Sequence, residues 1–133
     1  MGEAAAPLVY LQLEDVLELY AAIIGGNATQ AADQLRNRPG LEGAIARPAT
    51  HAHYRSAAIV DQAAVLAHGI AETQPFVDGN KRVALIAMLT FLEVNGLRVE
   101  ATDAELAAWI IELSAGGTEK RLADRLRPRA TRL

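Results

Sequence analysis

From residue 83 to residue 95 the chain reads as a helix that is apolar on almost every side: Val83, Leu85, Ile86, Met88, Leu89, Phe91, Leu92 and Val94. A helix without a polar face cannot lie on a surface, so this one demands neighbours packed all around it and belongs at the centre of a bundle. Other periodic stretches supply those neighbours. Val16, Leu17, Leu19, Tyr20 and Ile23 form a stripe that predicts a helix over about residues 13–24, closed by Gly25-Gly26-Asn27. Ile59, Val60, Ala63, Leu66, Ala67 and Ile70 predict another over about 56–73, with Asp61, Gln62 and Glu72 outside its buried face. Leu106, Trp109, Ile110 and Leu113 predict a helix over 103–113 capped by Thr102 or Asp103, and a last helix covers about 118–126.

Half of the residues are apolar (51%) but only 5% are aromatic, which is the composition of close-packed alanine- and leucine-rich helices. The expectation is an all-α single domain over residues 1–133, a compact bundle around one central helix. A short ribbon would pair the β-prone run Leu8-Val9-Tyr10-Leu11 with Leu97-Arg98-Val99-Glu100. Residues 1–7 read as a loose leader and 127–133 as a frayed, arginine-rich tail. Residues 28–55 are the least regular: a polar helical piece at 30–36, a break at Pro39-Gly40, a short helix at 41–46 stopped by Pro48, and a mobile surface overall.

Composition also removes function classes. Without cysteine there is no disulfide framework, thiolate metal site or cysteine nucleophile, and a reducing cytoplasmic setting is compatible. No apolar run approaches the ~20 residues of a membrane span, and the N-terminus has no basic segment of a signal peptide. A net charge of −3 offers no basic field for nucleic acid. His51 and His53 have metal-site spacing but no third ligand nearby, so they read as solvated. His68 lies six residues before Gln74, roughly 9 Å along a helix axis, too far to share a substrate atom with the loop that follows.

That loop is Gln74-Pro75-Phe76-Val77-Asp78-Gly79-Asn80-Lys81-Arg82. A proline and a glycine break the pattern just before the central helix, so the polar residues between them feed a helix N-terminus. The first-turn amides there lack intrahelical partners and carry the positive end of the helix dipole, which suits phosphate oxygens. Lys81 and Arg82 add two cations, and Gly79 allows close approach of backbone to a ligand. Asp78 beside a phosphate cradle is tolerable where a divalent cation lies between them. A Mg-nucleotide site is one reading; an ordinary Asp-Gly-Asn turn and helix cap is the other.

Residues Pro75-Phe76-Val77-Asp78-Gly79-Asn80-Lys81-Arg82-Val83-Ala84 resemble the Fic/Doc signature His-Pro-Phe-x-x-Gly-Asn-Lys-Arg-Thr-Ala, in its death-on-curing branch. The likeness continues through Val9-Tyr10-Leu11, Ala44-Ile45-Ala46-Arg47-Pro48 and Phe91-Leu92-Glu93-Val94-Asn95-Gly96-Leu97. Where the family has its catalytic histidine this chain has Gln74, and Val83 replaces the threonine. The resemblance implies the toxin of a toxin–antitoxin system, a kinase that moves a phosphate from ATP to a hydroxyl of a translation factor such as elongation factor Tu. It implies ATP and Mg²⁺, with Asp78 on the metal and Phe76, Gly79, Asn80, Lys81 and Arg82 around the nucleotide. Catalysis would fall to Gln74, Lys81 and Arg82, with Phe76 also anchoring the loop in the core, while the segment within residues 28–55 would form a flap over the site. Lys81 stands where the nucleotidyl-transferring branch usually has a glycine, which favours phosphotransfer; a Fic-like adenylyltransferase and a non-catalytic helical binding module are the alternatives. An amide is not a base, so Gln74 implies a loss of about 10²–10⁴ in rate. The family's inhibitory helix, Ser/Thr-x-x-x-Glu-Gly/Asn, is matched only at Glu42-Gly43 with Arg38 in place of the hydroxyl residue. The resemblance therefore implies an inhibitor in trans, a Phd-like antitoxin.

Overall fold

The computed structural model describes residues 7–55 and 57–133. Their order is α1 (Leu13–Ile24), α2 (Ala28–Asp33), α3 (Arg38–Arg55), α4 (Ile59–Thr73), α5 (Asn80–Val94), β1 (Leu97–Val99), α6 (Asp103–Ser114), α7 (Glu119–Leu126), a 3₁₀ turn (Arg127–Arg129) and β2 (Ala130–Arg132). The fold is all-α apart from the antiparallel ribbon of β1 and β2. Six of the loose-leader residues expected over 1–7 lie outside the described residues; Pro7 is exposed.

The apolar helix α5 buries Val83, Ala84, Ala87, Met88, Phe91 and Leu92 but not its whole circumference: Leu85, Ile86 and Leu89 are half-buried and Val94 is exposed. It shares the centre with α4, which packs on α3, α5, α6 and α7. Ten α4 residues are buried, five of them alanine or glycine, and small side chains let neighbouring helix axes approach. Gly69 marks the tightest point: a Cβ there would lie 2.8 Å from the Cβ of Ala44 in α3. Gln62, expected outside this buried face, is inside it, 2% exposed. Its amide donates to the Ala57 carbonyl (2.9 Å) and its oxygen accepts from the Tyr10 hydroxyl (2.8 Å), which satisfies the buried polar group.

The expected ribbon exists, but with a different partner. β1 pairs with the C-terminal strand, Leu97 opposite Arg132 and Val99 opposite Ala130, so the tail read as frayed is docked. The N-terminal run is held instead by the Asn95 side chain, which accepts from the Val9 amide (2.8 Å) and donates to the Val9 carbonyl (2.9 Å), imitating a strand edge. The tail arginines are not a loose basic patch. Arg127 pairs with Asp61 of α4 (3.1 Å), Arg129 with Glu105 of α6 (2.6 Å) and Arg125 with Glu112 (2.9 Å). Arg129 also lies over the Trp109 ring at 5.6 Å.

Residues 28–55 are more regular than the sequence implies. The helical piece is Ala28–Asp33, capped by Asn27, and neither proline of the next stretch ends a helix. Asn37 starts α3 through its side chain, which accepts from the Gly40 amide (3.0 Å), and Pro39 falls in the first turn, where no amide bond is lost. Pro48 lies inside α3, buried. An interior proline removes the bond to the carbonyl four residues back and costs about 3 kcal/mol in an isolated helix; here the α3–α4 interface holds the chain helical on both sides of it.

Candidate active-site loop and its two clefts

Helix α4 ends at Gln74, which takes the left-handed conformation (φ 43°, ψ 61°) that usually falls to glycine. That turn sends Pro75–Gly79 across the end of the bundle. Gly79, itself at φ 76°, is the N-cap of α5, so Asn80, Lys81 and Arg82 are the first helical turn and not a loop before it.

The loop is tied down on three sides. The Pro75 carbonyl accepts from the Arg36 and Asn37 amides (2.8 and 3.0 Å), and the Val77 amide donates to the Gln34 carbonyl (2.9 Å). Leu35 and Phe76 thus face each other as an antiparallel bridge. The 34–37 segment, read in the sequence as a mobile surface, is zipped to the loop. Beneath, the Phe76 ring is fully buried and stacks on Tyr20 of α1, centroids 3.8 Å apart and planes 6° from parallel. From the α5 side, the Asn80 side chain accepts from the Phe76 amide and donates to the Phe76 carbonyl, both at 2.9 Å.

These contacts correct two assignments. Phe76 is not part of a nucleotide-binding surface: its ring is in the core and both of its backbone polar groups are taken by Asn80. The Asn80 side chain, for the same reason, is committed to the loop and offers a ligand only its amide.

An N-cap residue and the first three helical residues have amides without helical acceptors. At α5 these are Gly79, Asn80, Lys81 and Arg82. The Gly79 amide donates to its neighbour's carboxylate, Asp78 Oδ1, at 2.7 Å, which leaves the other three directed at whatever occupies the helix N-terminus. Lys81 and Arg82 are exposed, and among the described residues neither has an ion-pair partner.

Open clefts lie on both flanks of this turn. One, of about 650 Å³, brings together Gln74, Asp78, Gly79, Asn80, Lys81 and Arg82, a size within the range of small-molecule sites. Its far wall is the C-terminal end of α6, with Ile111, Ser114 and Ala115, and Val77 lies on the near side. Val77 and Ile111 are 55% and 57% exposed, so the cleft has apolar lining as well as cations. The α6 residues are absent from the sequence-based site because their stripe reads only as core. The other cleft, of about 600 Å³, lies between the loop and α1–α2, lined by Tyr20, Ile23, Gly25, Gln30 and Asp33 among others; Asp78, Gly79 and Arg82 border both.

The three histidines lie elsewhere. His68 is placed between Glu72 and Glu119, 3.6 Å from each, and lines neither cleft. His51 faces Glu119 at 3.6 Å, while His53 sits edge-on to Tyr54, 4.8 Å between centroids. Both belong to α3 and not to a loop; two residues apart on a helix they point to different faces, which no single metal ion could bridge.

The donor set accommodates a magnesium nucleotide. Asp78 is exposed and uses one carboxylate oxygen on the Gly79 amide, which frees the other for a hard cation that takes its remaining ligands from phosphate and water. Three open amides and two unpaired cations adjoin it.

Comparison with known proteins gives the family. A family profile described as Fic/DOC family matches residues 10–92, a span that runs from the Tyr10 contact through the loop to the end of α5 and leaves out the α6 wall. The chain is also 36% identical over 94 residues to the protein named Toxin Doc from Mycolicibacterium smegmatis (strain ATCC 700084 / mc(2)155), an alignment that covers 69% of this chain and 68% of that one. With the signature residues gathered on one helix N-terminus and the match extending over most of the bundle, the chain belongs to the Fic/DOC family.

Proposed function

We propose that this protein is the toxin of a toxin–antitoxin pair, with a cleft that takes ATP and Mg²⁺ and is built to move the terminal phosphate to a hydroxyl of a protein of the elongation factor Tu kind. One observation carries the reading: three unpartnered amides, two unpaired cations and an exposed carboxylate converge on the cleft that also holds residue 74. The amides of Asn80, Lys81 and Arg82 would bind phosphate oxygens, and the Arg82 guanidinium would grip the transferring group bidentately. Lys81 would add its charge to the same group. Asp78 would hold Mg²⁺, which supplies charge neutralisation on the phosphates. Val77 and Ile111 would offer apolar surface to the base.

Gln74 borders the attacking position. Its amide can orient a hydroxyl through hydrogen bonds but cannot take the proton, so this form is slow. The experiment restores the base: Gln74→His protein is incubated with a cell extract and ATP labelled at either the γ or the α phosphate. Protein label from γ alone supports the kinase; label from α alone reassigns the chain to nucleotidyl transfer. No Mg-dependent chemical-shift change at Gly79–Arg82 with millimolar nucleotide would remove the nucleotide reading altogether and leave a helical binding module.

Such an enzyme needs restraint, and the described residues contain no inhibitory helix over the cleft. A Phd-like antitoxin, folding on binding and laying carboxylates toward Lys81 and Arg82, would supply it. The expected result is that Gln74→His arrests bacterial growth, that Arg82→Ala added to it restores growth, and that a small protein encoded beside the gene copurifies with it and blocks nucleotide binding. A well-folded Gln74→His protein without effect on growth refutes the toxin assignment.

A further inference from the structure

One peptide plane, the one between Asp78 and Gly79, decides how the Asp78 carboxylate is held against the start of α5. Its N–H is held by the Asp78 carboxylate at 2.7 Å. Its carbonyl accepts a hydrogen bond from the Tyr20 hydroxyl, in α1, at 2.8 Å. The same tyrosine stacks its ring on Phe76 at 3.8 Å, and its Cε1 would lie 3.5 Å from a Cβ on Gly79. Tyr20 is 2% exposed. A single side chain from another helix therefore touches Phe76, Asp78 and Gly79, on the side of the loop away from the cleft that holds Gln74.

We infer that Tyr20 is a positioning residue: it locks the Asp78–Gly79 peptide so that the Asp78 carboxylate is held beside the open amides of the first turn of α5. Packing alone does not account for a tyrosine here. Phenylalanine would fill the same space and make the same stack, and a buried hydroxyl is tolerated only with a partner. A peptide preceding a glycine at positive φ is where the plane can turn over at low cost, because the glycine accepts either orientation. Without the tyrosine hydroxyl the carbonyl loses its one hydrogen bond among the described residues, and the carboxylate that should serve a cation is the remaining tie. Burial raises the Tyr20 pKa, followed by the nearby Asp78 charge, so the hydroxyl stays a donor across the working range of pH. Nucleotide binding through this lock rests on the phosphate-loop reading given above; the lock itself does not.

The test uses the full chain and Tyr20→Phe, which keeps the ring and deletes one oxygen. Amide hydrogen exchange by NMR reports the Gly79 N–H against the α4 amides, and titration with ATP-Mg²⁺ reports binding. The expected result is Gly79 exchange about 3- to 10-fold faster, the range set by one net hydrogen bond, and ATP-Mg²⁺ affinity weaker by a similar factor. Accelerated α4 amides with Gly79 unchanged would mean that Tyr20 serves only the core, and would overturn the inference. If the parent protein binds nucleotide and Tyr20→Phe binds it equally well with Gly79 unaltered, the inference fails and the nucleotide reading stands. If the parent fails to bind nucleotide while Gly79 still responds, the nucleotide reading fails and the lock stands.

Discussion

Replacing Asn80 by alanine separates a residue that braces the loop from one that binds a phosphate. The side chain makes two hydrogen bonds, each 2.9 Å, to the amide and carbonyl of Phe76. A net hydrogen bond contributes about 0.5–1.5 kcal/mol, and a buried group left unpaired costs more. Phe76 is fully buried, so its two backbone groups have poor access to water and the upper half of that range applies, about 2–3 kcal/mol for the pair. Alanine is the better helix former by roughly 0.5 kcal/mol, which leaves a net loss of about 1.5–2.5 kcal/mol. For a domain of this size that corresponds to a fall in Tm of about 5–10 °C. The assay is thermal and urea unfolding of the nucleotide-free protein, where a phosphate-binding role contributes nothing. Asn80→Asp keeps the acceptor for the Phe76 amide and should lose about half as much. If Asn80→Ala unfolds with the parent protein and only nucleotide affinity suffers, the bracing role is wrong and the side chain turns to ligand.

Gly69→Ala places a methyl 2.8 Å from the Ala44 Cβ; overpacking of about 1–3 kcal/mol outweighs the helix-propensity gain of up to about 1 kcal/mol, and a urea midpoint at or above that of the parent protein contradicts it. Gln74→Gly should stabilise the fold by about 0.5–1 kcal/mol, since the left-handed conformation at φ 43° costs a non-glycine residue about 1–2 kcal/mol while glycine loses more entropy on folding; a lower Tm refutes that. Arg129, 2.6 Å away, holds the Glu105 carboxyl at about 2 against an ordinary 4.5. A carboxylate with a depressed folded pKa stabilises above its unfolded pKa and loses that contribution as pH falls from about 4.5 to about 2. The difference in Tm between the parent protein and Glu105→Gln should shrink over that window, and a difference independent of pH would disprove the pairing.

Local patterns were readable before any coordinates. Helices α1, α4 and α6 follow from apolar spacing that repeats within each segment and α5 from its continuous apolar run, and the turn before α5 follows from glycine, cations and a helix start in consecutive positions. The family signature is equally local, so Gln74, Asp78, Gly79, Lys81 and Arg82 could be singled out together. Residues that act through distant partners could not. Phe76 is the core anchor its position before the helix suggests, while only the folded loop shows that the Asn80 side chain is spent on the Phe76 backbone. Pro48 reads as a stop because proline removes a local bond, and the α3–α4 interface that overrides it has no local trace. The ribbon partner, the arginines docked on Asp61 and Glu105, and the α6 wall of the cleft all join segments far apart in the chain. Tyr20 and Asp78 are 58 residues apart: the sequence by itself determined a polar, glycine-broken turn with two cations at the start of an apolar helix, and the tertiary structure decided, through the α1 tyrosine, the backbone of the 34–37 segment and the α6 wall, how that turn is held and which clefts it borders.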